Sequence, residues 1–103
     1  MRDNLLNDER FAGAYARMRA RRGFGPIRIK QELSERGISS ELMANAFSSS
    51  ELDWWQLALE QKQKKFGAEV PRDFPERAKQ MRFLQYRGFD NEQIKFAMEM
   101  KNI

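Results

Sequence analysis

Apolar side chains recur along this chain at intervals of three and four. Phe11, Tyr15 and Met18 fall on one face of a helix, with Ala12, Ala14 and Ala16 beside them, and predict a helix over residues 8–22. Asn7 can cap it through its side-chain oxygen, Leu6 and Phe11 have the spacing of a hydrophobic staple, and Gly23 ends it. Pro26 then stands where a missing N–H costs nothing, in the first turn of a helix that buries Ile29 and Leu33 and stops at Arg36. Gly37 can turn left-handed, which brings Ile38 back onto Leu33. With Ser39 as the next N-cap, Ile38 also reaches Met43, and a third helix is predicted over 40–47.

The second half repeats this grammar. Ser48-Ser49-Ser50 reads as a loop and cap before a helix whose apolar face is Leu52, Trp55, Leu59 and Phe66, with Gly67 at its end. Asp73 and Glu76 have capping-box spacing before a helix carrying Ala78, Met81 and Leu84; Gly88 closes it and Phe89 pairs with Leu84. Asp90 and Gln93 form another box, Phe89 and Ile94 another staple, and the last helix is expected to reach about residue 100. Arg36-Gly37-Ile38 matches Arg87-Gly88-Phe89, Leu33 matches Leu84, and Phe24-Gly25 matches Phe66-Gly67 at a shorter offset, the difference being an insertion after Gly67. The expected fold is therefore all-α: two tandem three-helix repeats, residues 1–48 and 49–103, six helices in a curved or elongated array whose neighbours bury what one unit cannot.

Composition narrows the chemistry. The 103 residues hold no cysteine and no histidine, which removes disulfides, thiolate or imidazole metal sites and the usual nucleophile–base arrangements. The remaining carboxylates are not patterned for catalysis: Asp8 and Glu9 suit a helix first turn, while Glu32 and Glu35 lie on a charged helix. Gly23-Phe24-Gly25-Pro26 lacks the Lys-Ser/Thr pair of a phosphate-binding loop. No enzyme, cofactor, metal or small-molecule substrate is expected. No long apolar run or N-terminal signal is apparent, so the expectation is a cytoplasmic protein without membrane contact.

Lys and Arg number 19 against 15 Asp and Glu, a net charge of +4. The excess clusters: residues 17–36 hold seven basic and two acidic side chains, and 62–87 hold eight and three. On a helical wheel Arg10, Arg17 and Arg21 form a stripe away from the apolar face; Lys62 and Lys65 share a face in the second half, to which Arg82 adds. Arg22, Arg28, Lys30 and Arg87 complete the candidate basic face. Glu60–Lys64 and Arg28–Glu32 have the spacing of weak internal pairs. Trp54-Trp55 could stack bases, but Trp55 shares the stripe of Leu52 and Leu59 and Trp54 lies near Ala58, so packing accounts for both. The methionines at 18, 43, 81, 98 and 100 read as core filler. The glycine turns suggest a helix-turn-helix, yet 40–47 carries no Lys or Arg and 90–100 has Lys95 against Asp90, Glu92 and Glu99, which phosphates would repel.

Asn7-Asp8-Glu9-Arg10-Phe11-Ala12, Arg22-Gly23-Phe24-Gly25-Pro26 with Arg28-Ile29 and Gln31-Glu32-Leu33, and Arg36-Gly37-Ile38 resemble the RecX family, as does Phe83-Leu84-Gln85-Tyr86-Arg87-Gly88-Phe89 downstream. The resemblance covers essentially the whole chain. It implies three tandem three-helix repeats, of which this sequence holds the second and third, so a shortened chain lacking the first is expected. It also implies a partner, the RecA filament on single-stranded DNA, whose recombination, ATPase and coprotease activities the family limits, here by lying in the filament groove. Single- or double-stranded DNA is a further expected partner, and a non-specific DNA-binding helical module is the alternative.

Overall fold

The computed structural model describes residues 5–99, with side chains from Asp8 onward. Six helices follow one another: α1 (Leu5–Arg21), α2 (Pro26–Glu35), α3 (Ser40–Ser50), α4 (Trp54–Phe66), α5 (Phe74–Arg87) and α6 (Asn91–Glu99). Among the described residues no helix is long and apolar enough to cross a membrane. The molecule is elongated, 53 × 25 × 19 Å.

Caps set most of the boundaries. Ser39 accepts from the Leu42 amide, Asp53 from Gln56 and Asp73 from Glu76. Asp90 and Gln93 form a complete capping box, with Gln93 N donating to Asp90 Oδ1 at 2.8 Å and Asp90 N to Gln93 Oε1 at 3.0 Å. Gly37 closes α2 in a Schellman motif: Ile38 N donates to Leu33 O and Gly37 N to Ser34 O. Two expected boundaries differ. Asn7 lies within α1 rather than at its cap, because the helix already runs from Leu5; the Leu6–Phe11 staple falls outside the described side chains. Ser48, Ser49 and Ser50 belong to α3, where the hydroxyls of Ser49 and Ser50 bond back to carbonyls three and four residues earlier, and Asp53 takes the cap.

The core face of α1 differs from the expected one. Ala12, Ala16 and Ala20 are buried, whereas Phe11 is 44% exposed and Tyr15 and Met18 are half-buried. Side chains this small let α3 lie close along α1, and the larger neighbours flank the contact. Ala12 and Ala16 join Ile29, Leu33, Ile38, Met43 and Ala46 in one cluster; Ala58, Leu59, Leu84, Phe89, Ile94, Ala97 and Met98 form the second, between α4, α5 and α6. Trp54 packs against both clusters and stacks on Phe47 with ring centroids 5.5 Å apart. Trp55 instead stands edge-on to Phe96 and is 41% exposed, so the tryptophan that bridges the units is Trp54.

A backbone joint locks the units together. Helix α2 starts without a side-chain cap, at Gly25, and Pro26 has no N–H to satisfy. The donors on either side are taken by the end of α5: Gly25 N donates to Arg87 O at 2.6 Å and Ile27 N to Gly88 O at 2.9 Å. Orphan amides of one helix thus meet orphan carbonyls of another, with opposite ends of the two dipoles in contact. The approach requires glycine on both sides. A Cβ on Gly25 would lie 2.6 Å from the Gly88 carbonyl carbon, and one on Gly88 would lie 2.7 Å from Arg28 N. Two guanidiniums span the same seam, Arg28 Nη1 donating to Tyr86 O and Arg87 Nη1 to Arg22 O, each at 3.2 Å.

Gly37 and Gly88 share a positive φ, 87° and 98°, but nothing lies within 4 Å of a Cβ at Gly37. Gly37→Ala should therefore cost only the left-handed strain, about 1–2 kcal/mol. Gly88→Ala should cost a further ~1–3 kcal/mol of overpacking at the joint. Urea denaturation of the two variants checks this, and equal losses would mean that the joint is not tight.

Candidate functional site

The basic residues expected to share one face occupy several environments. Arg21 ends α1, Lys64 and Lys65 lie in the last turn of α4, and Arg87 ends α5, so three helix C-termini, where the dipole favours cations, converge. With Arg22 they surround a cleft of about 250 Å³ between the units, which Gln61 and Phe83 also line. Among the described residues no carboxylate lines its wall. Arg10 and Arg17 line a separate depression on α1 with Glu9 and Ser49. Lys30 is exposed on α2 with its ammonium 5.2 Å from the Phe47 ring, and Arg82 is exposed on α5 outside the cleft.

Lys62 does not belong to this surface. Its side chain is fully buried, and its ammonium donates to Gly67 O at 2.9 Å and to Glu69 O, tying down the loop between α4 and α5. Burial pushes its pKa below the usual lysine value, while the neighbouring Glu69 carboxylate works the other way. Its spacing to Lys65 suggested a shared exposed face; the loop wrapped over Lys62 was not visible in helical periodicity. Lys64, read as a partner for Glu60, instead lines the cleft, and Glu60 accepts from Gln56.

Two ways of holding a cation stand side by side here. Glu32 receives both Arg19 Nε and Nη2 at 2.9 Å, Tyr15 Oη at 2.9 Å and Arg28 Nε at 3.2 Å. Burial pushes its carboxyl up, but the bonds from Arg19, Tyr15 and Arg28 outweigh that and hold it below its usual value. Arg19 and Arg28 thus share one negative charge, and Arg28, which also donates to Tyr86 O, is a brace of the joint rather than a free contact. Both arginines also lie over the Phe24 ring, at 4.0 and 4.5 Å; the cleft's cations have aromatic faces without the carboxylate. Arg87 lies 5.1 Å from the centroids of both Phe24 and Phe83, and Lys65 lies 5.4 Å from Phe83. A ring quadrupole orients a cation without cancelling its charge. Among the described residues none of the cleft's five basic side chains enters an ion pair.

The chain is similar in sequence to known proteins over most of its length. Residues 7–46 match the family described as RecX, second three-helix domain, and residues 51–98 match RecX, third three-helix domain. The chain belongs to the RecX family. The "Regulatory protein RecX" of Cronobacter sakazakii is 51% identical over 91 residues, covering 88% of this chain and 55% of that protein. Those of Yersinia pseudotuberculosis and Serratia proteamaculans are 46% and 44% identical over the same share of this chain, covering 50% and 54% of theirs. The chain thus spans about half the length of the curated RecX relatives it matches. These relatives are named as regulatory proteins, not as enzymes.

Two measurements separate structural from contact charges. Lys62→Met leaves two loop carbonyls without their donor and should destabilise the fold by about 1–3 kcal/mol in urea denaturation; unchanged stability would remove Lys62 from its bracing role. For Glu32 the folded pKa lies below its ordinary value of 4.5, so its stabilisation is complete above pH 4.5 and is lost as pH falls through the folded value. Thermal melting of the wild type should decline across that window, and Glu32→Gln should be flatter there. Parallel profiles would contradict this.

Proposed function

We propose that this chain is a regulator of the RecA recombinase filament, lying in the filament groove and restraining recombination, ATP hydrolysis and coprotease action, in the cytoplasm where that filament works. Membership of RecX supports the partner. The observation that carries the surface is the acid-free cleft, whose five basic residues come from both three-helix units and are held in place by a rigid joint. A filament of protein on DNA offers carboxylates and phosphates along a groove, and an elongated two-unit module with cations at its seam suits such a partner. The contact residues assigned are Arg10, Arg17, Arg21, Arg22, Lys30, Lys64, Lys65, Arg82 and Arg87, with Lys62 excluded by burial and Arg28 engaged in the joint.

One observation favours a second reading, a non-specific DNA-binding module: among the described residues no carboxylate pairs with the cleft's basic side chains. The two readings differ in what they require. Co-sedimentation with RecA assembled on single-stranded DNA should carry the chain into the pellet and slow ATP hydrolysis, and Arg21→Glu with Arg22→Glu should weaken the association about tenfold or more, the equivalent of ~1.4 kcal/mol. Failure to pellet at low salt would remove the filament reading, and pelleting in proportion to DNA alone would favour the second.

A further inference from the structure

The cleft at the seam is more specific than a basic face. We propose that it is a binding site for a pair of adjacent phosphates, gripped from both units at once. This rests on the cleft being a contact surface but not on RecA as the partner.

Three features support it. The first is charge. Five formal positive charges line about 250 Å³, more than the whole chain's net excess of +4. A single carboxylate would leave most of that repulsion in place, whereas two neighbouring phosphates bring matching charge in a compact group and several acceptor oxygens. The second is how the cations are held. Phe83 lies under both Lys65 and Arg87, and Phe24 under Arg87, so these groups are positioned yet still charged. Arg19 and Arg28 also lie over Phe24, at 4.0 and 4.5 Å, but they share the Glu32 carboxylate as well, so what distinguishes the cleft's cations is the missing acid. The third is the site's place in the fold. Arg21 and Arg22 belong to the first unit and Lys64, Lys65 and Arg87 to the second, while Arg87 also donates to Arg22 O across the seam. A ligand held by all five therefore bridges the two units beside the joint that Gly25 and Gly88 make.

Paired phosphates occur along the backbone of a nucleic-acid strand and in the polyphosphate of a nucleotide. The chemistry is shared, and the experiment tells the sources apart. The test uses the chain alone, a labelled single-stranded oligothymidylate and inorganic triphosphate, with the variant Lys64→Gln/Lys65→Gln against the control Lys79→Gln/Lys95→Gln, two exposed lysines outside the assigned contact residues. Both pairs are exposed, and circular-dichroism melting confirms that each variant folds. On a single strand each phosphate contact contributes about 0.7 to the slope of log affinity against log salt, so the cleft variant should lose about 1.4 of it and the control less. Triphosphate should raise the melting temperature of the wild type but not of the cleft variant if a free polyphosphate can fill the site; a salt-slope loss without that rise identifies the nucleic-acid backbone. An unchanged slope in the cleft variant combined with no triphosphate effect would overturn the proposal. So would displacement of the oligonucleotide by polyglutamate as effectively as by triphosphate at equal charge, since the cleft would then be a general polyanion surface.

Discussion

Two glycines in contact hold this molecule in shape. Gly25 opens α2 and Gly88 closes α5, and each lacks the Cβ that would keep the two backbones apart. What passes through the gap is a pair of hydrogen bonds from amides that α2 cannot use to carbonyls that α5 cannot use. Each helix end satisfies groups the other leaves open, and the Arg28 guanidinium adds a side-chain bond to Tyr86 O. Trp54 adds an apolar bridge by touching both clusters. Without the joint, Arg21 and Arg22 would belong to one body and Lys64, Lys65 and Arg87 to another, and there would be no cleft.

The electrostatics follow from this geometry. Helix C-termini favour cations, and the joint brings three of them together. Repulsion among five positive groups would normally be relieved by a carboxylate, as Glu32 relieves Arg19 and Arg28 a short distance away. Here the relief is partial, coming from aromatic rings and helix ends. The surface is consequently ready for an anion supplied from outside.

Much of the fold was legible because local chemistry decides it. Ser39, Asp73, Asp90 and Gln93 announce helix starts, and Gly37 with Ile38 announces a stop, all within a few residues of sequence. The core face of α1 was misread for a simple reason: bulk was taken as a sign of burial, whereas close packing against α3 selects Ala12, Ala16 and Ala20 and pushes Phe11 outward. Ser49 and Ser50 looked like a loop because hydroxyls can cap, but they can equally bond back within a last turn. Site residues were harder still. Lys62 falls on the stripe of Trp55, Leu59 and Phe66 and Lys65 at its edge, so periodicity pointed to the burial of Lys62; what it does not encode is the loop whose carbonyls satisfy the ammonium. Gly88 is legible as a helix stop and Gly25 only as half of a repeated Phe-Gly pair; that they touch is a long-range fact that no spacing encodes.

The amides of Gly25 and Ile27 provide the most direct check on the joint. At an ordinary helix N-terminus such amides face water and exchange freely, whereas here both donate across the seam. Native-state hydrogen exchange should find them protected to the same degree as interior amides of α2, because they can open only when the two units separate. Exchange at the rate of a frayed helix end, with the helix interiors still protected, would show that the units are not locked and that the cleft between them is not a built site.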